Sequence, residues 1–224
     1  MFKRYAIFYT PGGDLGDWGA GWLGWDSHRG TASLQRSIDG IDVAALTATP
    51  QKYGFHGTLK APFVLAADAD EVWLAQTAES FASKHAPVDA GPFALRYQNG
   101  FIALRPCNDP PDLRDFAAHV VRAFDHLRTP LSDEDIARRR KARLSPRQDQ
   151  QMMVWGYPFI FEDFHFHLTL TGRLPERSAA QVIAALEPAL AQVMPARISI
   201  DAITLMGEDA EGIFHQIHRY ALIG

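Results

Sequence analysis

The chain has 224 residues, of which 47% are hydrophobic and 21% charged, an ordinary balance for a folded protein with enough length to bury a core. A formal net charge of −4 and a pI near 6.1 exclude the global basic field that holds long nucleic acid. The lone Cys107 excludes an intramolecular disulfide, and the apolar run from Tyr5 to Tyr9 is far too short for a signal-peptide core or a membrane span; a cytoplasmic protein with no membrane partner is expected.

Residues 3–10, KRYAIFYT, read as an opening strand closed by Pro11-Gly12-Gly13. Trp18, Trp22 and Trp25 then follow at helical spacing, mostly as aromatic core. A loop or short helix over 31–50 ends at Pro50, and QKYGFHGTLKAPF gives a strand ending at Pro62. The spacing of Val72, Leu74, Ala75, Ala78, Phe81 and Ala82 predicts a helix over 68–85. FALRY and FIALR around Asn99-Gly100 are a hairpin signal. A helix over 110–127 carries Leu113, Phe116, Val120, Val121 and Phe124, and a Ser132-x-x-Asp135 capping box opens a basic helical segment with Arg138, Arg139, Arg140, Lys141, Arg143 and Arg147. Beyond it come a strand in FHFHLTLTG, a helix over 178–194 that Pro188 should bend or split, and two strands around Glu211-Gly212.

One phrase occurs twice in this order: FHGTL at 55–59 and FHLTL at 166–170. Each copy is followed by a helix and a hairpin, with Gly100 and Gly212 at nearly equal distances from their histidines. Neither half alternates strands and helices as a Rossmann sheet does, and no Gly-rich phosphate loop is present. The expected fold is α+β and bilobal with pseudo-two-fold symmetry: two antiparallel sheets flank a central cleft, with helices on the outer faces. The expected organisation is one domain, 1–224, with an N-terminal lobe over 1–127, a basic helical insertion over 128–150 and a C-terminal lobe over 151–224.

Alternation along a strand places His56, Thr58 and Lys60 on one face, and His165, His167, Thr169 and Thr171 on one face of the second copy. Facing each other across a cleft, two imidazoles suit phosphodiester cleavage: one takes the proton of the attacking oxygen and the other protonates the leaving oxygen. The Thr58 and Thr169 hydroxyls would donate to non-bridging oxygens as charge builds. No cofactor or metal is needed, and the partner is a small-molecule phosphate ester.

With RYAIFYTP, YGFHGTLKAPF, RRRKARLSPRQ and WGYPFIFEDFHFHLTLTG around them, the paired motifs resemble the two-histidine phosphoesterase superfamily. The branch they are most similar to is encoded in bacterial phosphonate-utilisation operons. The resemblance spans nearly the whole chain. It implies a bilobal α+β fold, metal-independent catalysis by His56 and His167, phosphate binding by Thr58 and Thr169, and a ribose cyclic phosphate as substrate in phosphonate catabolism.

Each residue also has a plainer reading. Lys60 is a solvated strand-end lysine or a phosphate contact, and the basic segment is a solvated helix face or a cap that aims one of the adjacent Arg139 and Arg140 into the cleft. Tyr53 reads as packing, while Tyr157 and Arg173 are named without further support. His165-x-His167 with His215 is the metal-ligand alternative, a metal-dependent hydrolase. A nucleotide- or RNA-binding module without catalysis is the third reading.

Overall fold

The computed structural model describes residues 2–224. The chain runs β1 (Arg4–Tyr9), α1 (Gly13–Leu23), β2 (Trp25–Asp26), β3 (Thr31–Ala32), α2 (Val43–Thr47), β4 (Gly57–Phe63), α3 (Glu71–Ala82) and β5 (Val88–Gly91). It continues with β6 (Phe93–Gln98), β7 (Phe101–Pro106), α4 (Pro111–Ala123), α5 (Asp133–Arg140) and α6 (Pro146–Trp155). β8 (Leu168–Thr169), α7 (Glu176–Ala191), β9 (Ile198–Ile200), β10 (Ala202–Glu208) and β11 (Phe214–Ala221) complete it.

The fold is α+β. Seven strands form one sheet in the order β11-β10-β1-β4-β8-β7-β6, antiparallel throughout, and the pairs β2-β3 and β5-β9 stand apart. The two antiparallel blocks expected from the repeat are therefore joined into one sheet, through the single pair Gly57↔Leu168 between β4 and β8. Along β1, Tyr5, Ile7 and Tyr9 enter the main core with α1, α3, α4 and α7, while Ala6 and Phe8 face the other side with Met206 and Phe214.

The lobes are not sequential, which corrects the 1–127 and 151–224 boundaries. The hairpin after the first motif, β6-β7, pairs with the second motif's strand β8; the hairpin after the second, β10-β11, joins β4 through β1. Because β4 and β8 take each other's inner edge, only their outer edges remain for other strands, and those come from opposite ends of the chain. One core cluster runs through both blocks.

Local expectations met local physics with a few exceptions. Asn99 and Gly100 both have positive φ (57° and 87°), as the tight β6-β7 turn requires. Trp18 and Trp22 are buried and stacked, and Trp22 Nε1 donates to the Leu170 carbonyl at 2.7 Å. Val72 is 64% exposed, so the buried stripe of α3 is Leu74, Ala78, Phe81 and Ala82. Pro188 does not split α7; it and Ala184 are both exposed, so the carbonyl that loses its helical partner faces solvent. The basic segment is two helices, not one: Ser132 caps α5, Arg143 turns the chain at φ 53°, and a Ser145–Gln148 capping box starts α6. The second motif contributes only two residues of regular strand, because Leu170 and Thr171 both donate to the Ile102 carbonyl and end the ladder.

Gly57 sits at the join for a steric reason. A Cβ there would lie 2.2 Å from the Phe166 ring, which packs across the strand beneath it. Gly57→Ala is expected to cost about 1–3 kcal/mol by overpacking, read as a lowered melting temperature in circular dichroism; an unchanged melt would mean that Phe166 moves aside freely.

Candidate active site

The pair Gly57↔Leu168 sets the geometry of both motifs. Carried one residue each way, the register puts Thr58 across from His167 and His56 across from Thr169, so the two histidines are diagonal neighbours, about 7–8 Å apart at the backbone. Histidine and threonine alternate around a four-residue patch on the cleft side of the sheet.

Both imidazoles are held in the same way. His56 Nδ1 donates to the Gly54 carbonyl at 2.9 Å, and His167 Nδ1 donates to the His165 carbonyl at 2.7 Å. With its Nδ1 proton so engaged, each ring keeps Nε2 as its free lone pair. The Thr58 hydroxyl, at 3.2 Å, donates to Nε2 of His56. Gly54 supplies its carbonyl from a backbone with φ 70°, and a Cβ there would meet the Ser27 hydroxyl at 2.7 Å. Phe8 stacks on the His56 ring at 3.9 Å, and Phe101 lies 5.5 Å from the His167 ring.

Burial lowers the pKa of His56 to about 4, against the opposing pull of the Gly54 carbonyl and with added repulsion from His167. Burial likewise brings His167 to about 4, opposed by the His165 carbonyl and reinforced by Arg105 and His165. Both rings are neutral at pH 7, and each senses the charge of its neighbours.

Above the patch lies a cleft of about 730 Å³, lined by His56, Thr58 and Thr169 and walled by Tyr53, Tyr157 and four arginines. Arg4 is paired with Glu208 and Arg138 with Asp135, the only carboxylate among the lining residues. Arg139 faces the cleft 5.2 Å over the Tyr157 ring, with its Nε buried and unpartnered. Arg173 lines the cleft as well.

Several expected positions are corrected. Lys60 does not share the face of Thr58: the β1-β4 ladder slips between Phe8↔Thr58 and Ile7↔Lys60, and this bulge turns the lysine to the helix side. There it is 4% exposed and donates to the Val121 carbonyl at 3.2 Å and to Asp125 at 3.3 Å. Arg140 points outward and makes a two-pronged ion pair with Asp149 at 2.7 and 2.9 Å. The trio His165, His167 and His215 does not converge. His215 is on β11, four strand spacings from β8 or about 19 Å, and pairs with Asp209 at 2.7 Å. No cluster of three or more metal-ligating side chains occurs among the described residues. Tyr53, Tyr157 and Arg173 line the cleft after all. Arg4 and Arg105 were not anticipated. Strand alternation carried the signal for both, since Arg4 shares a face with Phe8, and Arg105 with Phe101.

The fold and the site together define an α+β protein in which His56, Thr58 and Thr169 line an arginine-rich cleft and His167 lies beside them on the same sheet, outside the cleft's lining. The chain belongs to the family described as "Protein of unknown function (DUF1045)", which matches residues 58–215. It is 34% identical over 219 residues to "Ribose 1,5-bisphosphate phosphokinase PhnN" of Janthinobacterium sp. (strain Marseille), covering 93% of this chain and 48% of that protein. It is 32% identical over 177 residues to the protein of the same name from Laribacter hongkongensis (strain HLHK9), covering 77% and 41%. The chain thus spans about half the length of these curated relatives or less. The crystal structure of the Thermus thermophilus protein TT0787 aligns over 99% of this chain and 98% of its own at a TM-score of 0.43 and 12% identity. No helix among the described residues is long and apolar enough to cross a membrane.

Because both imidazoles have folded pKa values of about 4 against 6.5 for a free histidine, the unfolded chain binds more protons between those values. Stability from this source is complete above about pH 6.5 and is lost as pH falls toward 4. Urea unfolding at about pH 4.5 and pH 7 is expected to show that loss, and a His56→Gln, His167→Gln double variant is expected to show a smaller one; equal losses would mean that the histidines are not held neutral.

Proposed function

We propose that this chain is a metal-independent phosphodiesterase that opens a small ribose cyclic phosphate by acid–base catalysis between His56 and His167. The observation that carries the reading is the alternating His/Thr patch, in which each Nδ1 is tied to a backbone carbonyl and each Nε2 is left as the lone pair, that of His56 taking a hydrogen bond from Thr58. A structural histidine has no need of a twin held in the same way.

In this mechanism the phosphate sits between the rings. One neutral imidazole takes a proton from water as its oxygen bonds to phosphorus, and the other, protonated in the complex, gives its proton to the departing ribose oxygen as that P–O bond breaks. Thr58 and Thr169 donate to the non-bridging oxygens, where charge accumulates. Burial keeps both rings neutral in the free protein, and the anion's negative charge favours protonation of one of them on binding. Arg139, without a carboxylate partner, supplies a phosphate contact from the cleft wall.

The substrate class draws on the resemblance to the phosphonate-operon branch and on the curated relatives. Opening a cyclic phosphate on a 5-phosphoribose yields a ribose bisphosphate, the type of compound that the relatives' name says they phosphorylate. This chain lacks a Gly-rich phosphate loop, so we assign the kinase activity of those proteins to the half that this chain does not match. The present chain would then act at the step before it, in phosphonate catabolism.

Purified protein is expected to hydrolyse ribose cyclic phosphates after treatment with chelator, with a bell-shaped dependence of rate on pH, because one imidazole must be neutral and the other charged. His56→Ala and His167→Ala should each lower the rate about 10²–10⁴-fold; loss of activity on chelation, restored by zinc, would overturn the reading. Arg139→Met should raise KM roughly tenfold or more with a smaller effect on kcat, the pattern of lost ground-state binding, whereas an unchanged KM would remove Arg139 from the site.

A further inference from the structure

The cleft side of the sheet holds one charged side chain whose burial nothing in the protein accounts for. Arg105 lies on β7, where the pairs Ala103↔Thr169 and Leu104↔Leu168, carried one residue further, set it across from His167. It is 8% exposed, and its Nε and Nη2 are buried without a hydrogen-bond partner. Arg128, which is also largely covered, has the carboxylate of Asp125, and the half-buried Arg4 has that of Glu208. Arg105 has none among the described residues. Its guanidinium lies 5.0 Å over the ring of Phe101, which also stands 5.5 Å from the His167 ring, and the residue between them on that face is the small Ala103.

Burying a guanidinium with unfilled donors is costly, and folding alone favours an apolar residue of the same length against Phe101. The cost is offset once an anion supplies the missing acceptors. We propose that Arg105 binds a phosphate group of the substrate lying against His167, reached through a groove of about 260 Å³ that it lines with Gln98, Asn108, His165 and Arg114, whose ion pair with Asp109 occupies the groove's one carboxylate. The identity of the anion rests on the phosphoester reading above. Arginine suits the place better than lysine, because its planar fork meets two phosphate oxygens at once while its face stays on the Phe101 ring.

The test uses the intact chain with inorganic phosphate as probe, followed by calorimetry and thermal melting. Wild-type protein should bind phosphate and be stabilised by it. Arg105→Met should weaken phosphate binding about tenfold or more, yet melt no lower than wild type in phosphate-free buffer, since it removes an uncompensated buried charge. Unchanged phosphate affinity with a lowered melting temperature would make Arg105 a packing residue and overturn the proposal. The Arg105 Nε–H resonance of the wild-type protein gives a check that needs no variant: it should shift as phosphate is added, and a static resonance would also overturn it. Kinetics on ribose cyclic phosphates with and without a second phosphate then locate the contact. An equal loss on both in Arg105→Met places it on the scissile group, and a loss confined to the doubly phosphorylated compound places it on the other. If wild-type protein hydrolyses neither compound, the phosphodiesterase reading fails, while phosphate binding still decides the role of Arg105.

Discussion

The site depends on one backbone pairing, Gly57 with Leu168. An antiparallel pair has a local two-fold axis, and here that axis passes between the two His-x-Thr segments, so two similar pieces of sequence become two halves of one patch. A slip of one residue would turn one histidine into the core and destroy the arrangement. The join is short, and it is kept in register from behind: Phe166 packs under Gly57 in the space a side chain would need, while Leu168 is fully buried. This difference in setting accounts for the glycine of one motif and the leucine of the other.

The same join explains why the repeat is folded in an interleaved way. With their inner edges taken by each other, β4 and β8 accept strands only on the outside, and each receives the hairpin that follows its twin, β4 through β1. Neither motif is completed by its own downstream hairpin. The cleft face is consequently supplied from β1, β4, β7 and β8, segments that begin at Arg4 and end at Thr169.

Electrostatics on that face run against the acidic balance of the whole chain. Among the cleft-lining arginines, Arg4 and Arg138 are neutralised by carboxylates, whereas Arg139 has no carboxylate partner, and Arg105 lies unpaired beside His167. The imidazoles are neutral because burial penalises their charge, and they are pinned through Nδ1 to carbonyls two residues upstream. A neutral imidazole pair therefore stands beside guanidinium donors that no carboxylate fills.

What could be read from the sequence was whatever depends on near neighbours. The tight turn at Asn99-Gly100, the cap at Ser132, the helical stripe over Leu74, Ala78 and Phe81, and the His-x-Thr repeat itself are properties of a few adjacent residues, and local sterics and hydrogen bonding are enough to specify them. The fate of Lys60 turned on a bulge produced by pairing with β1, some fifty residues away in the chain, and strand alternation by itself pointed it to the wrong face. The choice between Arg139 and Arg140 turned on how α5 lies against the cleft and on Asp149 waiting for the outward one. Arg105 became notable only when β7 was set beside β8, because a missing partner is a fact about everything that surrounds a side chain. The sequence by itself determined the elements, the repeat and the chemical types available to a site; the tertiary structure alone decided which of those groups meet and which charges are left without an answer, since pairing register and burial are set by contacts between segments far apart in the chain.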